Sequence, residues 1–297
     1  MKRRFNTQTP LNRRAFFKYG SRLSILAALG FGFAGRNDLT IEQMPLAFKN
    51  LPPEFDGLKI VQISDIHASF WVGSDFLNEV VDRINSIPKD LVVITGDIIT
   101  GSVNDFWKRW LFSAGDTYVT MVIDALSRLD SGVKFAVLGN HDQWDGKETE
   151  LRLVRELERV GIQVLRNQST QLQRGAARIN IAGTDDYWFS CDINRALGKV
   201  PPDEFTILLS HNPDIVSVMG NDPKIDLRLC GHTHGGQVNI PHVTEHFMPI
   251  KNAGKYLHGL VREPSGYTYV NRGIGTLVFP FRIGAPPEIT AFTLTRS

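Results

Sequence analysis

The sequence is poor in cysteine and has no long uncharged apolar segment. Two cysteines among 297 residues exclude a disulfide framework, and the sequence leaves open whether Cys191 and Cys230 pair. The uncharged run at residues 23–35 has 13 residues, whereas a transmembrane helix needs about 20. Internal repeats and low-complexity tracts are also missing, which excludes solenoid and fibrous folds. The length instead suits one large or two small globular α/β domains.

Acidic residues are absent from the first 36 positions. This segment holds eight Lys and Arg residues, and the rest of the chain has 25 basic against 31 acidic residues, a net charge of −6. A protein that binds nucleic acid is expected to keep a basic excess in its folded domain. The charge distribution therefore predicts no nucleic-acid partner.

The N-terminal segment has a characteristic order as well as a composition. Asn12-Arg13-Arg14-Ala15-Phe16-Phe17-Lys18 precedes the apolar run, an order that is similar to a twin-arginine export signal. A basic amphipathic tail or a short core helix is the alternative. Residues 1–36 are predicted to be this signal peptide or, if it is not cleaved, a membrane anchor, followed by a linker and edge strand at 37–55. The predicted location is the bacterial membrane or cell envelope.

Five buried, strand-like runs each end in a polar loop. The loops are Asp65-Ile66-His67, Gly96-Asp97, Gly139-Asn140-His141-Asp142, Ser210-His211-Asn212 and Gly231-His232-Thr233-His234. The carboxyl ends of parallel strands are where open α/β sheets build their sites. Along an extended segment residues i and i+2 point the same way, so Asp65 and His67 can reach one point. Two histidines held between glycines are hard to explain by packing, because buried imidazoles repel each other when charged.

The strand-end loops collect the residues that can bind metals. The candidate ligands are Asp65, His67, Asp97, Asn140, His211, His232 and His234. This mixed oxygen and nitrogen set is too large for one four-coordinate zinc and fits two ions that share a carboxylate. Mn, Fe and Zn all suit such ligands. The sequence therefore predicts two divalent ions beside His141, which can donate or accept a proton near pH 7.

The remaining periodicity predicts helices and further strands. A helix capped by Ser74 presents an apolar face and ends before Pro88. Residues 41–48, interrupted by Pro45, predict an edge strand. Strands of a second sheet are expected near the C-terminus, at residues 267–271, 277–281 and 289–294.

Residues 104–130 are predicted to be helical and begin with a dense aromatic cluster. Trp107 and Trp110 follow a candidate ligand loop, so they are candidate substrate-binding residues or part of a membrane-contacting lid. Packing in the core is the commoner role of such clusters. Asp185 and Asp186 follow another strand and are expected in a solvent-exposed turn, with orientation of the metal ligands as the alternative.

These blocks, in this order, resemble the calcineurin-like metallophosphoesterase superfamily. The motifs are Asp65-x-His67, Gly96-Asp97, Gly139-Asn140-His141-Asp142, His211 and Gly231-His232-x-His234. The resemblance covers about residues 56–240 and implies one metallophosphoesterase domain at 56–297. Segments 209–214, 231–237 and 286–289 look more like a bacterial envelope branch, which includes twin-arginine-exported phosphodiesterases and UDP-2,3-diacylglucosamine pyrophosphatases.

The resemblance implies an α/β fold, a four-layer α/β/β/α sandwich of two facing mixed sheets with a dinuclear metal site at the C-terminal strand ends. The implied ligands are Asp65, His67 and His234 for one ion, Asn140, His211 and His232 for the other, and Asp97 as the bridge. His141 and Asp142 are the implied catalytic residues. His141 would face the substrate, and Asp142 would orient His141.

The implied activity is metal-dependent hydrolysis of a phosphodiester or phosphomonoester by a metal-bridging hydroxide. The implied partner is a phosphate-ester substrate, which is lipid-linked in the alternative of a UDP-2,3-diacylglucosamine-type pyrophosphatase of lipid A synthesis. A non-catalytic scaffold is a weaker alternative, because every ligand position is filled. The sequence does not indicate the oligomeric state.

Overall fold

The computed structural model of the protein describes residues 30, 32–33, 35–101, 115–219, 225–277 and 279–297. The strands in these ranges are β1 (Thr40–Phe48), β2 (Leu58–Ile63), β3 (Leu91–Thr95), β4 (Val133–Val137), β5 (Gln163–Val164), β6 (Gln168–Arg174), β7 (Ala177–Gly183), β8 (Thr206–Leu209), β9 (Leu227–Cys230), β10 (Gly259–Glu263), β11 (Gly266–Val270) and β12 (Glu288–Arg296). The α-helices are α1 (Ser74–Ser86), α2 (Gly115–Leu126), α3 (Asn140–Trp144), α4 (Lys147–Arg159), α5 (Ile193–Leu197), α6 (Val216–Met219) and α7 (Ala253–Tyr256).

The strands form two mixed sheets of six. The first has the order β1-β12-β2-β3-β4-β5, and the second has the order β10-β11-β9-β8-β7-β6. In the first sheet β2 to β5 run parallel, whereas β12 is antiparallel to β2. In the second sheet β7, β8, β9 and β11 run parallel, and β6 and β10 are antiparallel edges. Parallel strands thus occupy the centre of both sheets.

The two sheets face each other across a shared apolar core. Side chains from both meet there, including Ile60 and Val93 of the first sheet and Ile207 and Leu229 of the second. The outer face of the first sheet packs on α1, α2 and α4, and that of the second packs on α5 and α7. These layers confirm the predicted four-layer α/β/β/α sandwich.

Helix α1 follows the predicted amphipathic pattern. Its buried face consists of Phe76, Leu77, Val80, Val81 and Ile84. The helix ends as predicted, because the residue before Pro88 takes an extended conformation that a following proline favours. The predicted cap is wrong by one position: Gly73 is the N-cap, Ser74 is the first helical residue, and no side chain caps this end.

The C-terminal strands differ in part from the prediction. β11 lies in the second sheet as expected, but β12 pairs with β1 and β2 in the first sheet. The described residues of 277–281 form no strand, because side-chain bonds from Gln237 replace a ladder there: it donates to the carbonyls of Leu277 and Phe279. This stretch therefore forms a connection between β11 and β12.

Several other predictions concern single features. The edge strand β1 is confirmed, and the helix predicted over 104–130 is confirmed for Gly115–Leu126. Trp107 and Trp110 lie outside the described residues. Both cysteines are free thiols. In the part of the chain that the structure describes, no helix has the length and apolarity needed to cross a bilayer.

Candidate metal centre

The seven predicted metal ligands come together at one edge of the two sheets. They follow the C-terminal ends of β2, β3 and β4 in the first sheet and of β8 and β9 in the second. Each of these side chains belongs to a residue that is at most 8% exposed. The parallel centre of each sheet therefore delivers its ligands to a buried point between the layers.

One cluster consists of Asp65, His67 and His234. Nε2 of His67 lies 3.0 Å from Nε2 of His234, which in turn lies 3.3 Å from Oδ1 of Asp65. All three side chains are buried, and their donor atoms lie within 4.8 Å of one another. The i and i+2 spacing of Asp65 and His67 thus does bring both residues to one point.

A second cluster consists of Asp97, His211 and His232. Oδ2 of Asp97 lies 3.2 Å from Nε2 of His211, and this nitrogen lies 3.2 Å from Nδ1 of His232. The same Oδ2 of Asp97 is 3.4 Å from Nε2 of His67 in the first cluster. One carboxylate oxygen therefore lies between the two clusters.

The spacing of the donor atoms fits divalent metal ions. Two ligand atoms about 2.1 Å from a shared ion, at an angle of about 90–110°, are about 3.0–3.4 Å apart. The contacts of both clusters range from 3.0 to 3.4 Å. Oδ1 of Asn140 is buried without a hydrogen-bond partner, which suits a metal ligand.

Two backbone carbonyls orient histidine rings at the site. Nδ1 of His211 lies 2.8 Å from the carbonyl oxygen of Thr95, and Nδ1 of His141 lies 2.5 Å from that of Thr100. A carbonyl only accepts, so both Nδ1 atoms carry the proton when the rings are neutral. The Nε2 atom of each neutral ring is therefore free to bind a metal ion or accept a proton.

The electrostatics of the metal-free site favour an ionised Asp97. Although burial opposes the charge, His211 and His141 hold the pKa of Asp97 well below its usual range. Burial also opposes the charged form of His211, but Asp97 raises the pKa of that ring well above its usual value. Burial lowers the pKa of His141 to about 4 and that of His232 to about 3. Asp97 and His211 thus form an ion pair whose proton a metal ion would displace.

Five of the candidate ligands have a left-handed backbone conformation. Their φ angles lie between 46° and 74°, and they are Asp65, His67, Asp97, His232 and His234. Residues with a Cβ atom adopt this region rarely, and it costs about 1–2 kcal/mol each. Such conformations persist where the surrounding fold imposes them, as at functional sites.

Asp142 holds the ligand loops together. Its Oδ1 accepts hydrogen bonds from the backbone N–H groups of Ile98 and Ile99, and its Oδ2 accepts one from Gly139. It therefore fixes the loop after β3 against the loop after β4. The ring of His141 donates to the carbonyl of Thr100, so Asp142 orients His141 through the backbone of its loop.

Arg282 was not predicted, although it lies against the first cluster. Its guanidinium is fully buried and donates to the carbonyls of Gly275, Ala285 and Arg272. The 271–285 connection is fixed at the site by these bonds and by the N–H of Gly275, which donates to the carbonyl of Asp65. Burial lowers the pKa of Arg282 to about 10. No sequence motif identifies this residue, since most of its partners are backbone atoms; its side-chain contact is with Nδ1 of His234, at 3.3 Å.

A pocket of about 470 Å³ opens above the clusters. Besides the ligands and His141, its lining comprises Thr100, Trp144, Trp188, Thr233, Gly236, Gln237, Met248, Pro249 and Leu277. Trp144 and Trp188 stack with ring centroids 6.1 Å apart, and each meets a site histidine edge-on, Trp144 at His141 and Trp188 at His232. Trp144 could have been recognised from its place three residues after His141 on one short helix. Trp188 could not, since its loop has no motif.

The expected solvent-exposed turn at Asp185 and Asp186 is wrong, because both residues are buried. Arg166 pairs with Asp185 at 2.7 Å, and the N–H of Trp188 donates to Asp186. Burial raises the pKa of Asp186 to about 6. These bonds fix the loop that carries Trp188 beside the second cluster.

Buried carboxylate and imidazole clusters that share one oxygen, at the strand ends of a four-layer sandwich, define a metal-dependent hydrolase. The chain belongs to the calcineurin-like phosphoesterase family, whose model matches residues 58–236. It is therefore an enzyme that hydrolyses phosphoesters with the help of metal ions.

Two bacterial relatives match nearly the whole chain. The metallophosphoesterase YkuE of Bacillus subtilis, named as uncharacterized, is 34% identical over 96% of this chain and 98% of its own. Phosphodiesterase YaeI of Escherichia coli is 30% identical over 96% of this chain and 99% of its own. The similarity thus extends beyond residues 58–236, the range of the family model.

Proposed function

We propose that the protein hydrolyses phosphodiesters in preference to phosphomonoesters. The observation that carries the proposal is the chemistry of the pocket wall: the described residues that line it include no Lys or Arg, while Trp144, Trp188 and Leu277 make it apolar. A monoester dianion needs cationic partners for its additional charge, whereas a diester has one charge and a second ester group that an apolar wall can contact. The name of the relative YaeI, a phosphodiesterase, supports the same assignment.

The proposed enzyme binds two metal ions. Asp65, His67 and His234 would hold one, Asn140, His211 and His232 the other, and Asp97 both. Bound Mn, Fe or Zn ions would supply Lewis-acid charge for the phosphoryl oxygens and make water acidic near neutral pH.

The residues of the chain position the reaction around these ions. The neutral ring of His141 carries its proton on Nδ1, which donates a hydrogen bond to Thr100. Its Nε2 atom can therefore accept a second proton and transfer it to the leaving oxygen. Asp142 keeps the loop of His141 against that of Asp97 through two backbone bonds, from Ile98 and Ile99. Trp144 and Trp188 exclude water from one side and contact the ester group that is not cleaved.

Export and attachment to the bacterial membrane or cell envelope are part of the proposal. They are supported by the order of the paired arginines and the apolar run in residues 1–36. A second candidate is hydrolysis of a UDP-2,3-diacylglucosamine-type pyrophosphate. The apolar wall favours such an acylated substrate, and the candidate requires the N-terminal segment to act as an anchor on the cytoplasmic side.

The test compares bis-p-nitrophenyl phosphate with p-nitrophenyl phosphate. The full chain is assayed with each divalent metal and with chelator, beside Asp97→Asn and the control Asp203→Asn at an exposed position. The proposal expects metal-dependent turnover with at least about tenfold higher kcat/KM for the diester. Higher kcat/KM for the monoester would overturn it. Bound ions with no turnover of either compound would favour the pyrophosphatase, and a protein that binds no ions would favour the scaffold.

A further inference from the structure

The mouth of the pocket is bordered by exposed apolar side chains. We call Val238, Ile240, Val243, Phe247 and Phe279 the apolar rim. Phe247 is 81% exposed, Phe279 60% and Ile240 53%, although soluble proteins usually cover large apolar side chains of this kind when they cluster. This exposure indicates that the rim contacts a partner with an apolar surface.

The side chain of Gln237 links the two segments of the apolar rim beside the pocket. Gln237 lines the pocket, donates to the carbonyls of Leu277 and Phe279, and accepts a bond of 2.7 Å from the N–H of Leu277. Its neighbour Val238 forms a β-bridge with Ile283. Both rim segments are thus held to each other beside the opening above the metal ligands.

The rim segments are nearly free of charge. Glu245 is the one Asp, Glu, Lys or Arg in residues 236–250, and residues 273–281 contain none, while 22% of the whole chain is charged. Moving these segments out of water therefore costs little desolvation of charge.

The N-terminal segment leaves the domain at the same place. The carbonyl of Gly32 accepts a hydrogen bond of 3.0 Å from the N–H of Arg282, and a Cβ atom at Gly32 would touch Ile283 and Phe281. The ring of Phe281 stacks on that of Phe279 at 6.2 Å. The described end of the segment 1–36 therefore lies beside the apolar rim. The sequence of this segment contains eight basic residues and no acidic one.

We propose that the apolar rim inserts into an anionic lipid bilayer, so that the pocket mouth faces the membrane and takes its phosphodiester from it. The inference rests on the proposed function and adds the substrate class: an amphiphile whose headgroup reaches the metal ligands. A bilayer suits both neighbouring features, because its headgroups attract the basic segment and its acyl region receives the rim. A second copy of the chain would bring two basic segments together.

The experiment uses the full chain and vesicles of phosphatidylethanolamine and phosphatidylglycerol. The rim variant carries Ile240→Ser, Phe247→Ser and Phe279→Ser. A matched control carries Leu151→Ser, Val218→Ser and Leu260→Ser, which are exposed by 43%, 52% and 39%. Turnover is measured on soluble bis-p-nitrophenyl phosphate and on hexadecyl p-nitrophenyl phosphate in the vesicles.

The rim variant is expected to lose at least about thirtyfold in turnover of the vesicle-borne diester and to keep its turnover of the soluble one. The control variant should keep both within about threefold. Equal vesicle-borne turnover of the rim variant and the wild type would overturn the inference. A dimer that the rim variant dissociates in light scattering, with vesicle-borne turnover unchanged, would also overturn it by assigning the rim to a second copy. Failure of the wild type on both diesters refutes the proposed function instead, and vesicle flotation of the rim variant then still tests the surface.

Discussion

Substitution of Gly139 by alanine tests the position of the shared carboxylate with a single methyl group. A Cβ atom at residue 139 would lie 2.2 Å from Oδ1 of Asp97 and 2.4 Å from its backbone nitrogen. Real Cβ contacts are at least about 3.0 Å, so the carboxylate or the loop must move by about 0.8 Å or more. The φ of Gly139 is −100° and its ψ is −179°, which alanine adopts freely, so the whole effect comes from the contact.

A displacement of about 1 Å at a reacting centre costs about 10²-fold in rate, and overpacking costs about 1–3 kcal/mol of stability. We therefore expect Gly139→Ala to lower kcat/KM for bis-p-nitrophenyl phosphate by about 10²-fold and to lower bound metal, measured by mass spectrometry. Gly132→Ala is the control, because a Cβ atom there meets nothing within 4 Å. Activity of Gly139→Ala within threefold of wild type, with full metal content, would refute the position of Asp97.

Three further predictions follow from the site. Asp97→Asn should abolish turnover and release metal, whereas His141→Ala should keep its metal and slow turnover by about 10²–10⁴-fold; metal loss in His141→Ala would contradict its role. Arg282→Gln leaves buried carbonyls unsatisfied and should cost about 3 kcal/mol or more in urea unfolding, against about 0.5 kcal/mol or less for the surface change Arg195→Gln. Metal-free protein should lose stability as the pH falls from about 6.5 to 4, because unfolded His141 and His232 take up protons that the folded forms, with pKa values of about 4 and about 3, refuse. His141 accounts for about 3 kcal/mol of this loss, so the loss in His141→Ala, measured by urea unfolding, should be smaller by about that amount.

The strand-end motifs allowed the fold to be predicted because two kinds of information coincided. Apolar runs such as Leu91–Thr95 mark strands that are buried on both faces, and such strands occur in parallel sheets covered by helices. Parallel strands place their following loops at one edge, so Asp97 and Asn140 had to be neighbours. The order of the chain was therefore enough to bring the candidate ligands together.

The partner of a strand is harder to predict than its existence. The run that forms β12 was recognised, but it pairs with β1, more than 240 positions earlier in the chain. Nothing local distinguishes this pairing from one with β11. In the same way, residues 277–281 have the composition of a strand, and only the distant side chain of Gln237 takes over their backbone bonds.

The burial of charged residues was also not predicted from the sequence. Asp185 and Asp186 follow a Gly-Thr pair that is typical of an exposed turn. The burial of Asp185 depends on Arg166, which comes from another loop and also pairs with Glu150, and Asp186 accepts the N–H of Trp188. Because this neutralisation is a tertiary contact, composition alone predicted the opposite environment.

The left-handed backbone at five ligand positions bears on how this enzyme evolves. Exchange of His232 for glycine removes a side chain from the site and at the same time relieves a dihedral angle that costs about 1–2 kcal/mol. Exchange of Asp65 brings no such gain, because its carboxylate accepts the buried N–H of His232. Relief of backbone strain thus favours loss of some ligands, and selection on turnover opposes it. A lineage released from that selection should lose its metal ligands before its core, and its descendants should melt at higher temperature than the enzyme from which they came.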